Sequence, residues 1–75
     1  MDAKHQYVIC VSDRGDELSV VKGKVYRVVD PEPQDNAKDI RVIDETGEDY
    51  LYDRTWFEQV TLTDRTITAL EAAAS

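Results

Sequence analysis

The sequence predicts a mainly β protein, in which five short strands form one small barrel and a short helix follows at the C-terminus. Two observations lead to this prediction. Short runs of β-branched and aromatic residues recur through residues 6–61, and clusters of Gly, Pro and acidic residues separate them. Residues 62–75 end instead in an Ala-rich run, which favours helix. A chain of 75 residues has room for one domain, so we assign residues 6–61 to the barrel and residues 62–75 to a helical tail.

The first predicted strand, residues 6–11, reads Gln-Tyr-Val-Ile-Cys-Val, and its continuous apolar run indicates burial on both faces. A turn-forming cluster surrounds Gly15, after which Leu18 and Val20 recur at a spacing of two. We therefore expect an irregular arm that directs Leu18 and Val20 inward. The arm ends in a turn at Gly23, where the backbone needs a positive φ.

Three further strands are predicted before residue 53. The second covers residues 24–30 and ends at Pro31, because proline cannot donate a hydrogen bond to a sheet ladder. A polar loop follows. The third and fourth strands, residues 40–43 and 48–52, form a hairpin whose tight turn places Gly47 at a positive φ.

The last elements are a helical turn, a short strand and a helix. Residues 53–56 are predicted to form one helical turn, capped by Asp53, and residues 58–62 to form the fifth strand. The tail helix begins after Thr63, a favourable N-cap, with Asp64 near the positive end of the helix dipole. Its narrow apolar stripe consists of Ile67, Leu70 and Ala74.

The charge balance is acidic, with 16 Asp and Glu against 9 Lys and Arg and a formal net charge of −7. Ordinary binding to DNA or RNA is not expected, because it requires cationic side chains that neutralise phosphates. An acidic surface suits a basic protein partner, although it also serves solubility alone. The polar N-terminal residues, a single cysteine and no apolar run of membrane-spanning length predict a cytoplasmic protein.

Two segments resemble SH3 domains. Residues 16–24, Asp-Glu-Leu-Ser-Val-Val-Lys-Gly-Lys, resemble the segment that closes the first long loop of those domains, and residues 47–57 resemble their strand followed by a helical turn. The pattern over residues 6–61 is also similar to small SH3-like proteins of bacteria and their phages. The resemblance implies an SH3-like five-stranded barrel.

The aromatic shelf with which SH3 domains bind polyproline is largely missing from this chain. The corresponding arm positions lie near Cys10 and Ser12, the third strand opens with residues 39–41, and the proline position falls at about Asp53. Only Trp56 keeps an aromatic side chain. Because polyproline docking needs stacked aromatic grooves, we do not expect this chain to bind polyproline.

Aromatic side chains and loop carboxylates are the candidate partner-binding residues. An exposed aromatic patch would act as a binding hot spot, although Trp56 can equally cover an open end of the barrel. The carboxylates can steer a basic partner or mimic the phosphates of DNA, and solvated loop charges are the commoner explanation of such clusters. The candidates are Tyr50, Tyr52, Trp56, Phe57, Asp13, Asp16, Glu17, Asp44, Glu45, Glu48 and Asp49.

The residues for an active or metal site are not found in the sequence. His5 is the only histidine, and Cys10 lies in a predicted buried strand, so neither a Ser-His-Asp set nor a Cys-His pair can be assembled. The acidic turn at residues 44–49 lacks the twelve-residue ligand spacing of an EF-hand. We expect no catalytic residues, no cofactor and no metal.

The sequence therefore predicts a non-enzymatic protein-interaction module, such as a small bacterial or phage regulator or inhibitor of a larger protein. Strand edges or the helix stripe can also support a homodimer. The alternative is an acidic DNA mimic that inhibits a nucleic-acid-binding enzyme. Mimicry requires carboxylates spread over one continuous face, whereas a generic module has them scattered.

Overall fold

The computed structural model describes residues 6–74, with side chains through residue 72. It confirms a mainly β chain with five strands and one C-terminal helix. The elements are β1 (Tyr7–Cys10), β2 (Val25–Arg27), β3 (Asp39–Ile43), β4 (Asp49–Asp53), a 3-10 turn (Arg54–Trp56), β5 (Phe57–Val60) and α1 (Asp64–Ala74).

The strands form two small antiparallel sheets rather than a closed barrel. One sheet has the order β2-β1-β5, and the other is the β3-β4 hairpin. An isolated bridge between Val28 and Val42 joins them, supported by the Val29 N–H, which donates to the Arg41 carbonyl. The described strands do not close into a barrel, because β2 ends at Arg27 and its pairing with β3 is limited to this bridge.

The core lies between the two sheets. Alternation is clearest in β3, where Ile40 and Val42 are buried while Arg41 between them is only partly buried. Val20 from the arm and Val42 are completely buried. The buried apolar cluster consists of Val8, Cys10, Val20, Tyr26, Ile40, Val42 and Phe57.

The arm between β1 and β2 contains a turn at residues 16–19, and this turn directs Leu18 outward. Its Leu18 N–H donates to Asp16 Oδ1 (2.9 Å), and its Ser19 N–H donates to the Asp16 carbonyl (3.0 Å). This turn breaks the two-residue alternation that the sequence suggested. Leu18 is consequently 72% exposed while Val20 is buried, so the predicted inward position of Leu18 is wrong.

Glycines fix the shape of the arm and hairpin. Gly23 and Gly47 have φ values of +89° and +87°, which confirms their predicted left-handed conformation. Gly15 is needed for a different reason: a Cβ atom there would lie 2.2 Å from the Val20 carbonyl oxygen. The arm can approach the core this closely only because residue 15 has no side chain.

The helix α1 begins with the predicted cap, since the Thr66 N–H donates to Thr63 Oγ1 (3.2 Å). The helix contacts β1 through Glu71, which is not a residue of the predicted apolar stripe. Glu71 accepts a hydrogen bond from the Tyr7 hydroxyl (3.2 Å), whereas Leu70 is 38% exposed. Ile67 is partly buried, and the side chain of Ala74 lies outside the described residues.

The close approach at Gly15 gives a stability prediction. Gly15→Ala is expected to lower the free energy of unfolding by about 1–3 kcal/mol, because its methyl group would overlap the Val20 backbone and force the arm outward. Leu18→Ser, at an exposed position of the same arm, is expected to change it by less than about 0.5 kcal/mol. Urea unfolding followed by tryptophan fluorescence measures both, and equal stabilities would contradict the tight contact.

Candidate functional site

The arm, β4 and the 3-10 turn meet on one face of the molecule. We call this surface the arm–turn face and define it by residues 11–18 together with Tyr52 and Trp56. The Val11 N–H donates to the Trp56 carbonyl (2.8 Å), which fixes the start of the arm against the turn. The rings of Tyr52 and Trp56 lie 6.0 Å apart at a tilt of 40°. Strand, turn and arm therefore position these groups together.

The 3-10 turn is held at both ends. Its predicted cap is confirmed, since Asp53 Oδ1 accepts hydrogen bonds from the Thr55 N–H (2.9 Å) and hydroxyl (2.7 Å). The Arg54 N–H donates to the Lys38 carbonyl (3.0 Å), and its guanidinium donates to the carbonyls of Ala37 and Asp39. These bonds join the turn to the loop before β3 and keep Trp56 half-buried against the core.

The arm lies close to β4 and the turn, as the electrostatics of their side chains indicate. Burial and a hydrogen bond to Asp44 raise the pKa of the Tyr52 hydroxyl, and the nearby carboxylate of Asp16 raises it further. Hydrogen bonds from Thr55 lower the pKa of Asp53, with a smaller contribution from the Arg14 charge. Asp16 and Arg14 are therefore close enough to interact electrostatically with Tyr52 and Asp53, respectively.

The exposed groups of this face are both apolar and acidic. Leu18 is 72% exposed and Val11 43%, while Asp13, Asp16 and Glu17 are all exposed. Sequence reasoning missed Leu18 as a surface residue. The Asp16-to-Ser19 spacing carried the necessary signal, because an Asp followed three residues later by Ser is typical of a side-chain-stabilised turn.

The structure separates the aromatic candidates. Phe57 is 7% exposed and packs edge-on against Tyr26 and Tyr52, so it belongs to the core and is not available to a partner. Its neighbour Trp56, the last residue of the 3-10 turn, is half-buried and packs against the edge of the same core. Tyr50 lies on β4 and is 50% exposed.

The hairpin carboxylates have mostly structural partners. Asp44 is buried and accepts hydrogen bonds from the Tyr52 hydroxyl, the Thr46 hydroxyl and the Thr46 N–H. Glu45 accepts a hydrogen bond from the Tyr26 hydroxyl and lies 3.6 Å from Lys24 Nζ. Among the hairpin carboxylates Asp44, Glu45, Glu48 and Asp49, Glu48 alone is exposed and makes no side-chain hydrogen bond within the described part of the chain.

Asp35, in the loop before β3, forms an ion pair with Arg41 of that strand. Arg41 forms a bidentate pair with Asp35, with both N–O distances 2.9 Å, and also contacts Asp49 at 3.1 Å. The Asp35 side chain is only 2% exposed. Its hydrogen bonds from Arg41 lower the pKa of Asp35, and the same contacts raise the pKa of Arg41. Sequence reasoning missed this pair because Asp35 looked like an ordinary residue of a polar loop.

Other chemistry is limited in the described part of the chain. Cys10 is a buried free cysteine whose thiol faces the Ser12 carbonyl at 3.4 Å. Within residues 6–74, no three His, Cys, Asp or Glu side chains come together as potential metal ligands. The described helix is too short and too polar to cross a membrane. His5, considered in the sequence as a possible ligand, lies outside the described residues.

Comparison with protein-family models, with curated proteins and with solved structures finds no match for this chain. Its site is therefore interpreted from its own geometry.

The buried carboxylate of Asp44 gives a prediction about acid stability. Burial alone would raise its pKa, but the hydrogen bonds from Thr46 and Tyr52 outweigh burial and hold it below the ordinary value of 3.8. The folded state therefore favours the charged form. This stabilisation is complete above the pKa of the unfolded chain and is lost as the pH falls through the lower pKa of the folded state.

Asp44→Asn is accordingly expected to cost about 1 kcal/mol at neutral pH and to flatten the loss of stability below about pH 4. Tyr52→Phe removes one of the donors, so it should weaken the acid dependence in the same direction. Urea unfolding at a series of pH values from neutral to acid measures both variants. An acid dependence of Asp44→Asn identical to that of the unsubstituted chain would contradict the assignment.

Proposed function

We propose that this chain is a non-enzymatic protein-interaction module of the SH3-like barrel type, which binds a basic segment of a larger protein through its arm–turn face. A small regulator or inhibitor, of bacterial or phage origin, fits this activity. The exposed Leu18, together with the exposed carboxylates of Asp13, Asp16 and Glu17 in the same arm, is the observation that carries the proposal.

The connectivity supports the SH3-like relation. A long arm joins β1 to β2, a tight hairpin joins β3 to β4, and a 3-10 turn joins β4 to β5. β1 pairs with both β2 and β5, so the first and last strands lie side by side. The described strands do not close into a barrel, so the SH3-like relation is proposed from the order of the elements alone.

The arm–turn face combines the features of a protein-binding surface. Tyr52 and Trp56 are partly buried and held by packing, so a partner would not have to order them. Leu18 presents an apolar side chain that is 72% exposed, so a partner can bury it. Buried aromatic and apolar anchors supply most of the affinity of an interface, while charges at its rim supply orientation and association rate.

The sign of the charges indicates a basic partner. Asp13, Asp16 and Glu17 form the exposed acidic tip of the arm. The one cation within that tip, Arg14, lies near Asp53. Lys or Arg side chains of a partner would therefore meet an attractive potential there.

The DNA-mimic alternative is less well supported. Mimicry needs many exposed carboxylates along one face, but several acidic groups of this chain already have partners. Asp35 and Asp49 pair with Arg41, Asp44 is buried, and Glu45 is bonded to Tyr26. The exposed acidic groups that remain are divided among the arm, other loops, β5 and α1.

A peptide-display selection against the full chain tests the proposal. The selected peptides are expected to be enriched in Lys or Arg and to shift the backbone amide signals of residues 11–18, Tyr52 and Trp56 in NMR titrations. Leu18→Ser should weaken their binding about tenfold or more, because it removes the exposed anchor. Selected peptides without basic enrichment, or shifts confined to another surface, would contradict the proposal.

A matched pair of double variants isolates the charge. Asp13→Asn/Glu17→Gln removes two charges from the arm, and Asp30→Asn/Glu58→Gln removes two exposed charges elsewhere, so net charge changes equally. The arm variant should weaken peptide binding about three- to tenfold at low salt, and the control much less. If both double variants weaken binding equally, the effect comes from the net charge of the whole chain, and a specific role of the arm carboxylates is contradicted.

A further inference from the structure

The outer edge of β4 carries backbone groups that no described strand uses. Among the described strands, β4 pairs only with β3. The Asp44 N–H donates to the Glu48 carbonyl (3.0 Å) in the register of that pairing, and bonded and non-bonded pairs alternate along an antiparallel ladder. The N–H groups of Asp49, Leu51 and Asp53, and the carbonyls of the first two, therefore point away from β3. We call this row of backbone groups the β4 edge.

The β4 edge is open. Its backbone groups make no hydrogen bond within residues 6–74, and the strand is exposed, with Tyr50 at 50% and Leu51 at 37%. Natural sheets protect exposed edges with proline, lysine or a bulge. The sequence of β4, Asp-Tyr-Leu-Tyr-Asp, contains neither residue, and its register with β3 runs without a bulge. An edge of this kind is a template on which an extended segment can add as a further strand.

The charges at the two ends of β4 disfavour a second copy of this chain as the added strand. If two copies of β4 paired antiparallel about Leu51, Asp49 of each copy would lie opposite Asp53 of the other. Like charges directly opposite each other destabilise a sheet, and the formal net charge of −7 adds to the repulsion. A different strand with cations at these two positions would be attracted instead.

Both end carboxylates keep an oxygen for such cations. Asp49 accepts from Arg41 through Oδ2 (3.1 Å), and Asp53 accepts from Thr55 through Oδ1. Both residues are exposed, and their other oxygens, Asp49 Oδ1 and Asp53 Oδ2, make no hydrogen bond in the described part of the chain. A carboxylate can accept at both oxygens. Because side chains alternate along a strand, Leu51 lies on the same face between them, so this face reads acidic, apolar, acidic.

We propose that the β4 edge binds an extended basic segment of another protein as an added antiparallel strand. An apolar residue of that segment lies opposite Leu51 and exchanges backbone N–H and carbonyl hydrogen bonds with it in both directions. Lys or Arg two residues before and two residues after it face Asp53 and Asp49. This inference goes beyond the proposed function, because only Tyr52 of the arm–turn face lies in β4, and its backbone groups face β3.

A synthetic pentapeptide, acetyl-Lys-Thr-Val-Thr-Lys-amide, tests the direction of these bonds on the full chain. In NMR titrations up to about 5 mM it is expected to shift the amide signals of Asp49, Leu51 and Asp53. N-methylation of its valine removes the N–H that would donate to the Leu51 carbonyl, so it should abolish these shifts. N-methylation of the next threonine is the matched control. That N–H points away from β4, so the control should weaken binding less than about threefold.

Two further comparisons test the charge and the place of binding. Replacing both lysines of the peptide by glutamate should weaken binding about tenfold or more. Leu18→Ser, which removes the anchor of the arm–turn face, should leave the binding of this peptide unchanged because Leu18 lies outside β4. Equal binding of the two N-methylated peptides, equal binding of the lysine and glutamate peptides, shifts confined to residues 11–18, or no shifts at all would overturn the proposal. Selection of peptides for the arm–turn face is a separate measurement, so failure of one proposal is distinguishable from failure of the other.

Discussion

The hydroxyl of Tyr26 links the arm to the hairpin, and the arrangement of the arm–turn face depends on this link. The hydroxyl accepts a hydrogen bond from the Val21 N–H (2.7 Å) and donates to the Glu45 carboxylate. The Glu45 N–H in turn donates to the Ser19 carbonyl (2.8 Å). Burial and the hydrogen bond to Glu45 raise the pKa of Tyr26, so the hydroxyl keeps its proton over the physiological range. The base of a long arm is thereby fixed to a separate sheet.

This link explains how a small open pair of sheets can hold a defined surface. A chain of 75 residues has a modest core, and among the described residues one isolated bridge and the neighbouring Val29–Arg41 hydrogen bond link the segment after β2 to β3. The Tyr26 hydroxyl, on β2, supplements that bridge by reaching Glu45 in the hairpin turn, while the Tyr52 hydroxyl bonds the adjacent Asp44 within the hairpin itself. The acidic hairpin turn at residues 44–49, whose carboxylates the sequence suggested for partner binding, therefore helps to join the sheets through Glu45.

The sequence was sufficient to predict the local elements but not the contacts between distant ones. Strand positions followed from β-branched runs, and the conformations of Gly23 and Gly47 followed from their place in tight turns, since both signals are local. The Arg41–Asp35 pair, the Tyr7–Glu71 contact and the outward position of Leu18 depend on how separate segments or competing turn hydrogen bonds settle, which periodicity does not encode. For the same reason Phe57 and Asp44 were expected at the surface but are buried.

The central claim is that the arm is held in one conformation before any partner binds. Amide hydrogen exchange of the Val21 and Glu45 N–H groups tests it most directly, because the Glu45 bond exists only when arm and hairpin are joined and the Val21 bond only when the Tyr26 hydroxyl is held against the arm. We expect both amides to be protected in the free protein, and Tyr26→Phe to abolish the protection of Val21 while the amides between β1 and β5 remain protected. Exchange of Val21 and Glu45 at the rate of an unstructured chain in the unsubstituted protein would contradict the account.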